Sequence, residues 1–85
     1  MATRTATVAS EVGLHARPAA LFSRAAKETG LAVTLALGDG DPVDATSVLN
    51  VLTLGVGPGQ RVTLAADGDG AEDALDRLAA LLETA

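Results

Sequence analysis

Polar and apolar positions alternate from Thr3 to Val8, with Arg4, Ala6 and Val8 on one side and Thr3, Thr5 and Thr7 on the other. A period of two, rich in β-branched residues, predicts a half-buried strand, and Gly13 breaks it. From about Ala16 to Thr29 the spacing turns helical. Ala19, Phe22 and Ala26 form one stripe, with Leu21 and Ala25 beside it. Pro18 fits only the first turn of such a helix, where its missing amide hydrogen costs nothing, and Gly30 supplies the C-terminal stop. Leu31, Val33, Leu35 and Leu37 recur again at period two and make residues 31–37 the clearest strand in the chain.

Gly38-Asp39-Gly40-Asp41-Pro42 reads as a turn from which a short strand around Val43 returns. Ser47 is placed as the N-cap of a short helix carrying Val48, Leu49, Val51 and Leu52, and Gly57-Pro58-Gly59 forces another turn. Val62, Leu64 and Ala66 alternate in a fourth strand over residues 60–66. Asp69 followed by Glu72 resembles a capping box, ahead of a helix that buries one face through Ala71, Ala74, Leu75, Leu78, Leu81 and Leu82. The order β-α-β-β-α-β-α predicts an α+β fold: a two-layer open-faced sandwich, with a four-stranded, largely antiparallel sheet carrying three helices on one face. Thr3, Thr5, Thr7, Thr34 and Thr63 would then face water.

Eighty-five residues leave room for one modest core and for no large catalytic cleft, so residues 1–85 are read as a single domain. Hydrophobic residues make up 48%, and because Phe22 is the only aromatic the core must be built from aliphatic layers. The absence of cysteine removes disulfides, thiolate chemistry and cysteine metal sites, and fits a reducing compartment. With no apolar signal core after Met1 and no stretch near a membrane span's length, a cytoplasmic location without membrane insertion is expected.

The net charge of −5 is unevenly spread, since Arg4, Arg17, Arg24 and Lys27 against Glu11 and Glu28 give residues 1–30 a local +2. So acidic a chain repels nucleic acid and anionic membrane in bulk, and any anion it binds is held near that N-terminal cluster. Neither glycine-rich stretch is followed by Lys-Ser/Thr, so neither is a phosphate-binding loop of the nucleotide type. Several of the carboxylates Asp67, Asp69, Glu72, Asp73 and Asp76 sit at a helix N-terminus, where negative charge is ordinarily stabilising, and no metal or cofactor is called for.

Candidate chemistry gathers in Gly13-Leu14-His15-Ala16-Arg17-Pro18-Ala19-Ala20, where the only histidine lies at the mouth of a helix. The first amides of a helix lack internal partners and its dipole adds partial positive charge, so the Ala16 and Arg17 N–H groups and the Arg17 guanidinium make an anion site. A neutral imidazole nitrogen is a competent nucleophile toward phosphorus near pH 7. Phosphoryl transfer asks a protein mainly for positioning and charge stabilisation, which this constellation supplies. The bland alternatives are plain: a histidine that merely caps, an arginine that is merely solvated, and a Ser47 that is only an N-cap. Arg17, Arg24 and Lys27 fall within an arc of roughly 80°, which is either a solvated face or a surface that steers acidic partners toward His15.

Gly13-Leu14-His15-Ala16-Arg17-Pro18-Ala19 closely resembles the active-site signature of HPr, the histidine phosphocarrier family of the bacterial phosphoenolpyruvate-dependent sugar phosphotransferase system. Ser47-Val48-Leu49-Asn50-Val51-Leu52-Thr53-Leu54-Gly55 resembles the family's second signature, and length and element order agree over essentially the whole chain. The resemblance implies an HPr-like fold and a phosphocarrier, not an enzyme with its own small-molecule substrate; a monomer is expected because the pattern leaves no large apolar patch unexplained. It implies that His15 accepts a phosphoryl group at Nδ1 from phosphorylated enzyme I and donates it to IIA domains of sugar permeases, with Arg17 beside it.

The same resemblance aligns Ser47 with a serine that an ATP-dependent HPr kinase/phosphorylase modifies in some bacteria, with a transcriptional regulator as a further partner. It also places Ala20, Val48 and Leu49 where family members dock partners. The sequence departs from the pattern at Thr46, where regulated members often have lysine, and Asp44 adds negative charge nearby; Val12 stands where some members are polar, and the hairpin is slightly longer. None of these departures touches His15. Two other roles fit the same residues: a regulatory interaction protein switched at Ser47, and a carrier serving nitrogen metabolism or dihydroxyacetone kinase in place of sugar uptake.

Overall fold

The computed structural model describes residues 1–11 and 13–84, which form β1 (Ala2–Thr7), α1 (Ala16–Glu28), β2 (Val33–Leu37), β3 (Val43–Asp44), α2 (Val48–Thr53), β4 (Arg61–Ala66) and α3 (Ala71–Thr84). The strands make one sheet in the order β1-β4-β2-β3, antiparallel at every junction. The last strand in sequence is therefore interior: Leu64 of β4 lies between Arg4 and Leu35, and Val62 between Ala6 and Leu37. Its alternation buries Val62, Leu64 and Ala66 on one face. These join Leu35, Phe22, Val51, Leu75, Leu78 and Leu82 in one apolar cluster that the helices complete. Thr3, Thr5 and Thr7 are exposed on the opposite face and Thr34 and Thr63 are half-buried there, so the helices occupy one side of the sheet, as the pattern predicts. No described helix is long and apolar enough to cross a membrane.

Several boundaries move. Val8 leaves β1 yet stays buried, its N–H donating to Gln60 O at 3.0 Å and its carbonyl accepting from Gly59 at 2.8 Å. Leu31 stands outside β2. The capping box expected from Asp69 and Glu72 does not form: α3 starts at Ala71, and Gly70 O accepts the first helical bond, from Ala74 N at 2.9 Å. Gly68 and Gly70, both at positive φ, carry the turn one residue past Asp69. Glu72 and Asp73 still lie in the first turn, where the helix dipole favours them. Arg4 falls on the inward side of its strand, but its guanidinium reaches out to pair with Asp76 of α3, an exposed ion pair of small energetic weight.

On α1 the stripe of Ala19, Phe22 and Ala26 is fully buried, but Leu21, read as flanking it, is 53% exposed. Its neighbour Ser23 is buried in its place, and its Oγ meets no hydrogen-bond partner among the described residues. A buried hydroxyl without a partner loses its hydration and recovers nothing, at a cost of about 1–3 kcal/mol. Ser23→Ala is therefore expected to stabilise the domain by about 1 kcal/mol and to raise the thermal midpoint by a few degrees. Thermal unfolding followed by circular dichroism checks this, and a lowered midpoint would oppose it.

Candidate functional site

The site begins with a loop held from both ends. Between β1 and α1 the chain crosses over the segment 56–60. Gly59 and Gln60 bond to Val8 at one end of the crossing, and Leu14 N donates to Val56 O at 3.0 Å at the other. Gly13 lies between, buried and at φ +70°, against the backbone of Val56 and Gly57; a Cβ there would come within 2.4 Å of Val56 O. Gly13 thus does more than end a strand, because only a residue without a side chain lets the two segments touch. Leu14 is buried beside it, and the next residue emerges at the surface as His15.

His15 is the N-cap of α1, with extended backbone (φ −87°, ψ −170°), and its carbonyl accepts the first helical bond from Ala19 at 2.8 Å. Its imidazole makes no capping hydrogen bond and is exposed. The bland role of the histidine as a side-chain cap is therefore not the one this geometry shows. Pro18 has no amide hydrogen, so the open donors of the first turn reduce to the Ala16 and Arg17 N–H groups, both on exposed residues directly after the imidazole. No acidic residue occupies that turn, and the Arg17 guanidinium has no carboxylate partner among the described residues. Positive potential at the helix mouth is left for a ligand. One hollow of the surface lies at the start of α3 and another between α3 and the end of α1; neither borders His15, which is exposed.

Beyond His15 the exposed face of α1 runs through Arg17, Ala20, Leu21, Arg24 and Lys27, and packs at its flank against α2. Val48, Leu49 and Leu52 of α2 are exposed there, Leu49 by 73%. Ala20, Arg24, Lys27 and Val48 line one shallow cleft with Ser23 and Thr46. Of the docking residues read from the sequence, Ala20, Arg24, Lys27 and Val48 thus share that cleft, and Leu49 is exposed next to Val48 on α2. Leu21 and Leu52 are exposed as well, which their apolar character did not suggest. Leu21 follows Arg17 by four positions and Leu52 follows Val48 by four, a spacing that puts each on its partner's face.

Ser47 caps α2 as its sequence context predicts, its Oγ accepting from Asn50 N at 3.3 Å. Just before it, the Asp44 carboxylate accepts from the Thr46 hydroxyl at 2.7 Å and the Thr46 amide at 2.9 Å. These two bonds, with a smaller contribution from Lys27, hold the Asp44 carboxyl below its ordinary range. A depressed carboxyl favours the folded state above the ordinary carboxylate value, and that contribution is lost as pH falls from there through the lowered folded-state value. Val12 lies outside the described residues, and among the described residues no group of three or more His, Cys, Asp or Glu is arranged to hold a metal.

Comparison with known proteins bears on this arrangement. The PTS-HPr family model, described as the PTS HPr component phosphorylation site, matches residues 2–84. The phosphocarrier protein HPr of Streptomyces coelicolor is 54% identical over 82 residues, covering 96% of this chain and 88% of that protein. The phosphocarrier protein HPr of Haloferax volcanii is 49% identical over 82 residues, covering 95% and 92%. In three dimensions the crystal structure of HPr-C-His from Thermoanaerobacter tengcongensis superposes with a TM-score of 0.90 at 37% identity, over 99% of this chain and 93% of that one.

Proposed function

The chain belongs to the PTS-HPr family, the phosphocarriers of the phosphotransferase system, and on that premise we propose that His15 is the residue that carries the phosphoryl group. The observation that carries the assignment is the exposed imidazole at the N-terminus of α1, free of any capping bond and followed by two open amides and Arg17. In the step we assign to it, the Nδ1 lone pair attacks the phosphorus of a phosphorylated donor. The new N–P bond forms as the donor's bond to phosphorus breaks, and the donor group leaves with that electron pair. The Ala16 and Arg17 amides and the guanidinium of Arg17 receive the phosphoryl oxygens and stabilise their charge in the transition state. Transfer onward is the same displacement run against an acceptor, and it gains from the lability of the N–P bond. No cofactor or metal enters the step.

Openness is the corollary of this role, because a phosphorylated donor must reach the His15 nitrogen and, in turn, an acceptor's nucleophile must reach the phosphorus carried on that nitrogen. Enzyme I is the proposed donor, and the IIA domains of sugar permeases are the proposed acceptors. This places the carrier in the cytoplasm, as a monomer whose single domain spans residues 1–85. Docking is assigned to Ala20, Leu21, Val48, Leu49 and Leu52 as an apolar centre, with Arg24 and Lys27 as cations that steer acidic partners. Ser47 is carried in the proposal as the position open to an ATP-dependent kinase, beside its demonstrated cap.

The test is to incubate the protein with phosphoenolpyruvate and enzyme I and to locate the phosphate. One acid-labile phosphate per chain is expected, bonded to imidazole nitrogen by phosphorus NMR and mapped to His15 by mass spectrometry. Acid-stable phosphate on Ser47 with an unmodified His15 would overturn the assignment.

A further inference from the structure

We propose that Gln60, an exposed residue of the loop before β4, is a positioning residue for phosphoryl transfer at His15, acting through the loop on which the His15 segment rests. The inference rests on the assignment of transfer to His15.

Gln60 closes the turn 57–60 from both directions. Its side-chain Oε1 accepts from Gly57 N at 2.6 Å, and its backbone N–H donates to Gly57 O at 3.3 Å. That turn is the platform under the β1–α1 crossing. Gly59 N and Gln60 O hold Val8 where the chain leaves β1, and Val56 O holds Leu14 N where it enters α1. Gly57 itself lies against Gly13, where a Cβ added to Gly13 would come within 2.9 Å of Gly57 Cα. The path from Gln60 to the imidazole is thus short and covalent or hydrogen-bonded at most steps. It runs from Gln60 Oε1 to Gly57 N, through the peptide to Val56 O, across to Leu14 N, and on to the adjacent His15.

The geometry needs this brace for two reasons. Gly55, Gly57 and Gly59 leave the segment with little backbone stiffness of its own, so a side chain that ties Gly57 to Gln60 removes freedom the sequence otherwise builds in. The imidazole also has no hydrogen bond to the cap to fix it; its placement descends from the backbone of Leu14 and His15, and a small displacement of a nucleophile costs rate steeply. Gln60 thus supplies a side-chain acceptor to a backbone amide of the turn 57–60.

The decisive comparison is Gln60→Met, which keeps the length of the side chain and deletes the acceptor, against the wild-type protein. Three readouts are taken: kcat and KM for phosphoryl acceptance from enzyme I, hydrogen exchange at the Leu14 amide, and the thermal midpoint. We expect kcat to fall by about three- to tenfold with KM for enzyme I unchanged, since the nucleophile is displaced while the docking surface is intact. Leu14 should exchange faster by a similar factor, and the midpoint should move by no more than about 2 °C, because an exposed hydrogen bond is lost. A Gln60→Met protein with wild-type kcat overturns the proposal, as does a loss confined to KM or a lowered midpoint with kcat retained. The parent reading is tested in the same assay by where the phosphate sits in the wild-type protein: phosphate away from His15 would sink that reading, whereas phosphate on His15 with unchanged Gln60→Met kinetics sinks only the role of Gln60.

Discussion

His15→Ala is expected to accept no measurable phosphate from enzyme I, a loss of at least about 10³-fold, while folding as well as the wild-type protein. Nothing nearby substitutes for the nucleophile, because the chain has no second histidine and no cysteine and removing a covalent nucleophile removes the intermediate itself. Stability is untouched because the imidazole is exposed and contributes no capping bond. His15→Ser sharpens the expectation: a serine hydroxyl at an extended N-cap can accept the Arg17 N–H, so this variant should be inactive and more stable by about 0.5–1 kcal/mol. The position holds a residue that caps poorly, a local inconsistency of the kind found where function takes precedence over stability. Arg17→Ala should slow acceptance by about 10–100-fold without abolishing it, since two open amides remain. Quench-flow transfer and thermal melts measure all three; a His15→Ala protein that takes up phosphate at the wild-type rate would refute the assignment.

Gly13→Ala is the second large effect. The substitution places a Cβ 2.4 Å from Val56 O and 2.9 Å from Gly57 Cα, both backbone atoms that cannot swing aside, at a φ of +70° that strains any L side chain. Strain of about 1–2 kcal/mol adds to overpacking of about 1–3 kcal/mol, a large share of the roughly 5–15 kcal/mol by which domains are stable. The expected outcome is a midpoint lowered by roughly 10–20 °C, with slowed transfer below the melt as Leu14 is pushed off Val56. Gly55→Ala provides the control, because it shares the positive φ but would meet nothing within 4 Å. If the two variants melted together, the close approach at Gly13 would carry no energetic weight.

Much of the fold was legible because its signals are local. A period of two in Val33-Thr34-Leu35, a helical stripe through Ala19, Phe22 and Ala26, a serine before an apolar run and a glycine after Thr29 each act within a few residues, and the structure places an element at each. The candidate site was legible for the same reason. Histidine, two amides, proline and arginine lie within four consecutive positions, so a helix starting at Ala16 is enough to bring them together. Where sequence reasoning slipped, competing local choices were close in energy. Asp69 was a good cap, but the glycines on either side of it let the turn run on to Gly70. Leu21 belonged to the stripe by character, yet its position four residues after Arg17 put it outward, and Ser23 was buried by its place on the helix despite its hydroxyl.

What the sequence determined by itself is therefore a set of elements, their order, and a histidine at a helix mouth, since period, capping and turn chemistry are properties of neighbouring residues. Tertiary structure alone decided that β4 enters the sheet between β1 and β2, that Gly13 meets Val56 across more than forty residues of chain, and that the segment 56–60 bonds to Val8 and Leu14 on either side of Gly13. Those contacts join segments far apart in sequence, and which of them form depends on how all the buried faces pack at once, information that no local pattern holds.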